Sequence, residues 1–217
     1  DDFLGMLREA APTLQEVVVG ANWTYGRGAL GTVETLKQSA GRHGFEIRTV
    51  QPVLWKGAPV SSSRIREAVA DGEMEEALSM LGRPYCLRGA VQWGRRVGRE
   101  LGYPTANLVL DDTAKPRPGI YAVTVRFGNR RIDGAAYYGR RLTFDGIPHH
   151  LMLEVHLFEP PPELAGQTLD VAFIRFLRED RKFDSVDELI EGIRDDCEQS
   201  KRALQRFRRF RNEAAAC

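Results

Sequence analysis

The sequence predicts an α/β unit followed by a six-stranded antiparallel β-barrel and a C-terminal helix. Three observations carry that prediction. Residues 1–84 alternate helical and strand-like stretches. Residues 85–177 hold six short strand-like runs punctuated by turn signals, which favour a closed barrel over a sandwich. From Ser185 onward apolar residues recur every three to four positions. With 217 residues, 42% of them hydrophobic, the chain is long enough for one or two real cores. We read two domains, 1–84 and 85–217.

The elements follow in order. Phe3 to Ala10 reads as helix, and Val17-Val18-Val19-Gly20 as a short buried strand. Thr32 can cap a helix running to about Gly44, with Val33, Leu36 and Ala40 on one side. Phe45 to Val53 reads as a second strand. Ser61 to Arg66 leads into a helix expected over Glu67–Asp71, and Glu73–Leu81 forms another, closed by Gly82 and Pro84. The barrel strands are expected at Tyr85–Trp93, Thr105–Leu110, Ile120–Phe127, Arg131–Tyr138, Leu151–Phe158 and Leu169–Phe176. Gly128-Asn129 supplies a hairpin turn. In the last helix Ser185 and Glu188 suit a capping box. Val186, Leu189, Ile190, Ile193, Cys197, Leu204 and Phe207 give it a docking face.

Composition removes several function classes. A formal net charge of +1 offers no global field for nucleic acid or a membrane surface. No apolar run approaches a membrane span and no signal peptide is visible. Cys86, Cys197 and Cys217 are few, distant and odd in number, which fits a reducing cytoplasm rather than a disulfide framework. The four histidines show no metal-ligand spacing. The basic tail from Lys201 to Arg211 interleaves Phe207 and Phe210, and we read it as a core helix with a solvated basic side rather than an RNA contact. A start at Asp1 leaves a fragment or a processed chain as alternatives, and no feature assigns an oligomeric state.

Two stretches can carry chemistry. Gly94, Gly98 and Gly102 space a basic segment containing Arg95, Arg96 and Arg99. Glycines bend tightly and bare their N–H groups, so such a turn can wrap an anion, and arginine suits phosphate. Pro104 stiffens the exit. Thr105 and Asn107 then sit two apart, which in an extended chain puts a hydroxyl and an amide oxygen on one face. That pair is a reasonable half-site for Mg²⁺ beside phosphate. A Gly/Arg-rich surface turn with local side-chain bonds is the other reading of the same residues. In Leu151–Phe158, period-two alternation sends Leu151, Leu153, Val155 and Leu157 to the core. Glu154 is left on a face shared with Met152, His156 and Phe158, too apolar for a plainly solvated carboxylate.

The run from Gly98 to Asn107, Gly-Arg-Glu-Leu-Gly-Tyr-Pro-Thr-Ala-Asn, resembles the signature of the riboflavin kinase domain. In bacteria that domain forms the C-terminal half of the bifunctional riboflavin kinase/FAD synthetase. Gly119 to Val123, Leu153 to Leu157 and Leu177 to Phe183 repeat further family pieces in the family's order. The resemblance implies small-molecule substrates: riboflavin and ATP, converted with Mg²⁺ to FMN and ADP. It implies Glu154 as general base, Thr105 and Asn107 at the metal, and Gly94, Arg95, Gly98, Arg99, Gly102, Pro104 and Thr105 around the ATP phosphates. It implies Arg178, Glu179 and Phe183 closing over the flavin.

Residues 1–84 resemble the second half of the family's Rossmann-like nucleotidylyltransferase (FAD synthetase) domain, with Ser61, Ser62 and Arg66 matching a motif that contacts ATP. The family's glycine-rich strand turn and His-x-Gly-His motif do not occur in these residues. Asn22 and Thr24 stand where the family keeps an acid and an arginine. The unit is therefore expected to be a remnant with vestigial nucleotide contacts and no FAD synthesis. Two departures touch the kinase part: one strand motif loses its Asn to Tyr137 and its Pro to Leu142, and the Tyr-Gly usually seen before the sixth strand is Ala165-Gly166. The alternative to an enzyme is a non-catalytic flavin or nucleotide sensor. A sensor needs neither a base nor a metal half-site, and Glu154, Thr105 and Asn107 supply both.

Overall fold

The computed structural model describes residues 2–92, 98, 101–110, 115–140, 151–159, 164 and 166–215. The chain divides into two compact units, 1–60 and 61–217.

In the first unit, helix α1 (Asp2–Ala10), strand β1 (Glu16–Gly20), helix α2 (Val33–Ala40) and strand β2 (Glu46–Val50) follow the expected order. β1 and β2 pair in parallel with Val17 opposite Ile47, so α2 is the crossover a parallel pair needs. The cap forms as the sequence suggests: the Thr32 hydroxyl accepts from Thr35 N–H, while Thr35 Oγ1 accepts from Thr32 N–H at 2.9 Å. Leu4, Val19, Val33, Leu36, Ala40 and Phe45 make the core. β1 is not buried on both faces, as its Val run suggested, because α1 and α2 cover only the Val17 and Val19 side; Val18 stays 54% exposed. Two short strands, β3 (Leu54–Trp55) and β4 (Ala58–Pro59), form a hairpin after β2, which ends earlier than the run to Val53 implied.

The second unit opens with helix α3 (Ser62–Ala70) and helix α4 (Met74–Leu81). α3 begins at the serines rather than at Glu67, since Ser61 alone serves as cap: its hydroxyl accepts from Arg64 N–H at 3.3 Å. Val69, Met74 and Ala77 from this pair join the barrel's core cluster. The barrel strands are β5 (Tyr85–Gln92), β6 (Thr105–Leu110), β7 (Gly119–Phe127), β8 (Arg130–Arg140), β9 (Leu151–Leu157) and β10 (Thr168–Arg178). They close in the order β10-β5-β6-β9-β8-β7 with every pairing antiparallel. One residue in two points inward, so Leu108, Tyr121, Val123, Leu153, Val155 and Phe173 fill the interior.

Alternate residues are thereby sent to the outer wall, where helix α5 (Val186–Ala215) lies against β7, β8 and β10. Ala122, Ile174, Ala203 and Leu204 form the layer beneath it. At its start Glu188 N–H donates to the Ser185 hydroxyl at 3.2 Å. The Glu188 carboxylate reaches back one residue further than a capping box requires and accepts from Asp184 N–H. Of the expected docking face, Cys197 and Leu204 are buried, whereas Val186 is exposed; so is Phe210.

Candidate active site

Register on the outer wall brings the sequence candidates together. β6 pairs with β9 so that Asn107 lies opposite Glu154 and Thr105 opposite His156. β9 pairs with β8 so that Glu154 lies opposite Tyr137 and His156 opposite Ala135. Directly opposed residues have Cβ atoms about 4.5–5.5 Å apart, so Asn107, Glu154 and Tyr137 form one transverse row and Thr105, His156 and Ala135 the next. All of them alternate with interior residues and therefore share the outer face.

The segment entering β6 is held in place from two directions. Tyr103 N–H donates to Gly98 O at 2.7 Å, and Gly102 takes φ +82°, a left-handed conformation that costs glycine nothing. His156 Nδ1 lies 2.9 Å from Pro104 O, and the Tyr103 ring meets the His156 ring edge-on at 5.4 Å. Gly94, Arg95 and Arg99 lie outside the described residues, so only Gly98, Gly102, Pro104 and Thr105 of the phosphate segment have a described place.

Over this wall opens a cleft of about 440 Å³. Thr105, Glu154, His156 and Tyr137 line one side. The connector after β10 and the first turns of α5 supply the other, through Arg178, Phe183, Leu189 and Ile193. Two contacts anchor that far side. Arg178 donates to Asp196 of α5 through Nε at 2.8 Å and Nη2 at 2.7 Å, a bidentate pair whose carboxylate is buried. The Phe183 ring rests against Gly192, where an added Cβ would come within 2.6 Å of Cε1, so only glycine lets the ring lie there. Burial pushes the Cys197 thiol at the cleft wall up to about 11, which keeps it neutral and inert.

Asn107 is the buried polar member of the row. The residue is 7% exposed, and its Oδ1 accepts no hydrogen bond among the described residues. A buried carbonyl-type oxygen without a donor is costly unless a cation or donor completes it. Mg²⁺ takes oxygen ligands, so it is one group that could complete this atom, with Thr105 and Glu154 on the same face. Among the described residues no cluster of three or more His, Cys, Asp or Glu side chains could hold a metal by itself.

Residues 81–204 match the family model for riboflavin kinase, and residues 1–64 match that for FAD synthetase. The chain belongs to the riboflavin kinase family. It is 35% identical over 184 residues to the bifunctional riboflavin kinase/FMN adenylyltransferase of Haemophilus influenzae, covering 84% of this chain and 59% of that protein. The Bacillus subtilis counterpart is 32% identical over 199 residues, covering 90% of this chain and 62% of that one. The chain thus spans about three-fifths of the length of these relatives. Its structure also resembles a crystal structure described as a macrolide-efflux protein from Streptococcus pneumoniae, with a TM-score of 0.74 and 37% identity over 83% of this chain and 58% of that one. No helix among the described residues is long and apolar enough to cross a membrane.

Not every residue singled out from the riboflavin kinase resemblance reaches the cleft. Arg178 and Phe183 line it, whereas the Glu179 carboxylate is taken by Arg117. Ser61, Ser62 and Arg66, singled out instead from the nucleotidylyltransferase resemblance, sit at the start of α3, where Ser61 is spent as the cap and Arg66 Nη2 donates to Ser63 Oγ at 3.5 Å. Sequence reasoning passed over Asp196, His156 as the anchor of Pro104, and Asp180, which accepts from the Tyr137 hydroxyl at 3.0 Å. Asp196 had a visible signal: it is an acid on the stripe of Ile193, Cys197 and Ser200, where a buried partner is required.

Proposed function

We propose that this chain transfers the γ-phosphoryl group of ATP to the ribityl 5′-hydroxyl of riboflavin, giving FMN and ADP. The observation that carries the reading is the pair Glu154–Tyr137 on the wall of a cleft, with Asn107 opposite Glu154 in the same row and Thr105 lining the cleft beside it, and with a fixed aromatic and aliphatic surface on the opposite side. Phosphoryl transfer needs positioning and charge neutralisation more than covalent chemistry. Phe183, Leu189 and Ile193 offer the apolar face that a flavin ring requires. Glu154 stands where it can take the proton of the attacking hydroxyl as the new O–P bond forms and the bond to ADP breaks. Thr105 and Asn107 would hold Mg²⁺, which when bound neutralises phosphate charge. By the family resemblance, Gly98, Gly102, Pro104 and Thr105 would face the ATP phosphates.

The same reading confines this chain to FMN. Within these 217 residues no His-x-Gly-His motif occurs, and Ser61 and Arg66 are engaged locally. Purified protein incubated with riboflavin, ATP and Mg²⁺ should yield FMN and no FAD by chromatography. Glu154→Gln should lower turnover by about 10²–10⁴-fold while the riboflavin Kd changes little. Flavin binding without any FMN formed in the parent would select the sensor instead, and a Glu154→Gln rate within a few-fold of the parent would make Glu154 structural.

A further inference from the structure

A second and larger concavity, about 730 Å³, lies elsewhere on the barrel's outer wall and shares no lining residue with the Glu154 cleft among the described ones. The Glu154 cleft uses Ile120 of β7, Tyr137 of β8 and the first turns of α5. The second uses Arg126 of β7, Arg131 of β8 and Leu204 to Arg208 near the other end of α5.

Arg83, Arg88, Arg126, Arg131 and Arg208 line it, against two carboxylates, Asp133 and Asp170. The local excess is three positive charges, in a chain whose formal net charge is only +1. The carboxylates act as spacers that fix guanidiniums in place. Asp170 accepts from Arg88 Nε at 2.6 Å and Nη2 at 3.3 Å and also from Arg126, while Asp133 pairs with Arg208 and accepts from the Thr124 hydroxyl at 3.3 Å. A guanidinium carries five N–H donors, so most donors of these arginines have no partner among the described residues. Arg131 forms no ion pair there at all. Between the charges the apolar lining is Ala172 and Phe207, both half-buried, with Ile174 and Leu204 buried behind them.

We propose that this arginine-lined cleft is a second ligand site, for a phosphate-bearing aromatic anion of the nucleotide class. Guanidiniums held apart on a rim recognise phosphate bidentately. Phe207, with Ala172 beside it in the lining, gives a flat ring somewhere to lie. The size matters to the choice of ligand: 730 Å³ of concavity is in the range of small-molecule pockets, whereas a nucleic-acid strand follows an open groove.

The test is fluorescence anisotropy of mant-ADP with EDTA present, which removes the Mg²⁺ that the Thr105–Asn107 position calls for. The parent should bind saturably, and inorganic pyrophosphate should displace the probe. Arg126→Glu/Arg131→Glu should weaken binding by roughly tenfold or more, since two charge-assisted contacts are removed and repelled. Asn107→Ala should bind as the parent does. Riboflavin phosphorylation by the Arg126→Glu/Arg131→Glu protein should stay within about twofold. Should that double variant fold poorly, Arg131→Ala serves alone: it removes an exposed, unpaired side chain and should weaken binding by about threefold with an unchanged Tm. Affinity in the charge-reversed protein within twofold of the parent overturns the proposal. So does probe that pyrophosphate fails to displace, or a labelled single-stranded oligonucleotide that binds more tightly than mant-ADP.

Discussion

Removing the Asp196 carboxylate tests the anchor of the whole far side of the cleft. Asp196 is 5% exposed and receives two charge-assisted bonds from Arg178, at 2.8 and 2.7 Å. In Asp196→Ala the guanidinium keeps its donation to Glu179 O at 2.8 Å but loses its only ion pair among the described residues. Breaking a buried pair by deleting one partner commonly costs about 3–5 kcal/mol. The Arg178 side chain is 22% exposed and can recruit water at its outer edge, so a discounted loss of about 2–3 kcal/mol is expected. For a unit of this size that is a fall in Tm of roughly 5–10 °C, read by calorimetry. The companion variant is Arg178→Met, which removes the charge instead of stranding it. Combined with Asp196→Ala it should regain part of the loss, because the larger component is the unpaired buried cation and not the missing bond. A Tm drop below about 1 °C for Asp196→Ala, or strictly additive losses in the double variant, would refute the claim that this pair holds α5 to the end of β10.

Three further outcomes can be checked on the same protein. Asn107→Ala removes a buried oxygen that accepts no hydrogen bond among the described residues, so it should leave Tm within about 1 °C of the parent while raising the Mg²⁺ concentration for half-maximal turnover; an unchanged metal titration would detach Asn107 from the metal. Tyr137→Phe deletes the hydroxyl that donates to Asp180, and at about 0.5–1.5 kcal/mol for such a bond the riboflavin KM should rise roughly 2- to 10-fold. Asp180→Ala should raise it similarly and the double variant no further, whereas multiplying effects would show that the two act apart. Hydrogen bonding from Arg88, ahead of that from Arg126, holds the Asp170 carboxyl below its ordinary value of 3.8. A carboxyl depressed in the folded state contributes stability above that ordinary value and loses it as the pH falls toward the folded one. Asp170→Asn should therefore flatten the loss of stability on acidification below pH 3.8, and an unaltered acid-denaturation curve would count against the Arg88–Asp170–Arg126 cluster.

The features legible in the sequence are those in which one residue's environment follows from its near neighbours. Leu153 and Val155 bracket Glu154, and a strand with one buried face has only one way to orient all three; the outward Glu154 was readable for that reason. Thr105 and Asn107 were readable as a pair by the same parity. The Thr32 and Ser185 caps were readable because both partners lie within one helical turn. Phe210 shows how that local logic can be overextended. At about 100° per residue it sits roughly 240° around the helix from Leu204, off the buried stripe that Phe207 still borders, and it is 66% exposed. The serines before α3 misled in a similar way, since a single cap residue is enough to start a helix and the next two can lie inside its first turn.

What stayed hidden depends on where distant strands and helices come to rest. Arg178 meets Asp196 only because α5 returns along β10, and Tyr137 meets Asp180 only because the connector crosses the β8 wall. The barrel explains why function should concentrate in such contacts. Its interior rows are committed to close packing, where a change of one methylene is felt, and no polar group can be added there without a partner. The outer rows carry no such constraint except beneath α5. Chemistry can therefore be placed on alternate residues of the same strands that build the core, with α5 and the connector supplying the opposite wall. On this account, replacing Tyr137 or Phe183 should alter which flavin fits while leaving the barrel intact. Replacing Tyr138, one residue away and 2% exposed, should unfold the barrel before it changes any preference.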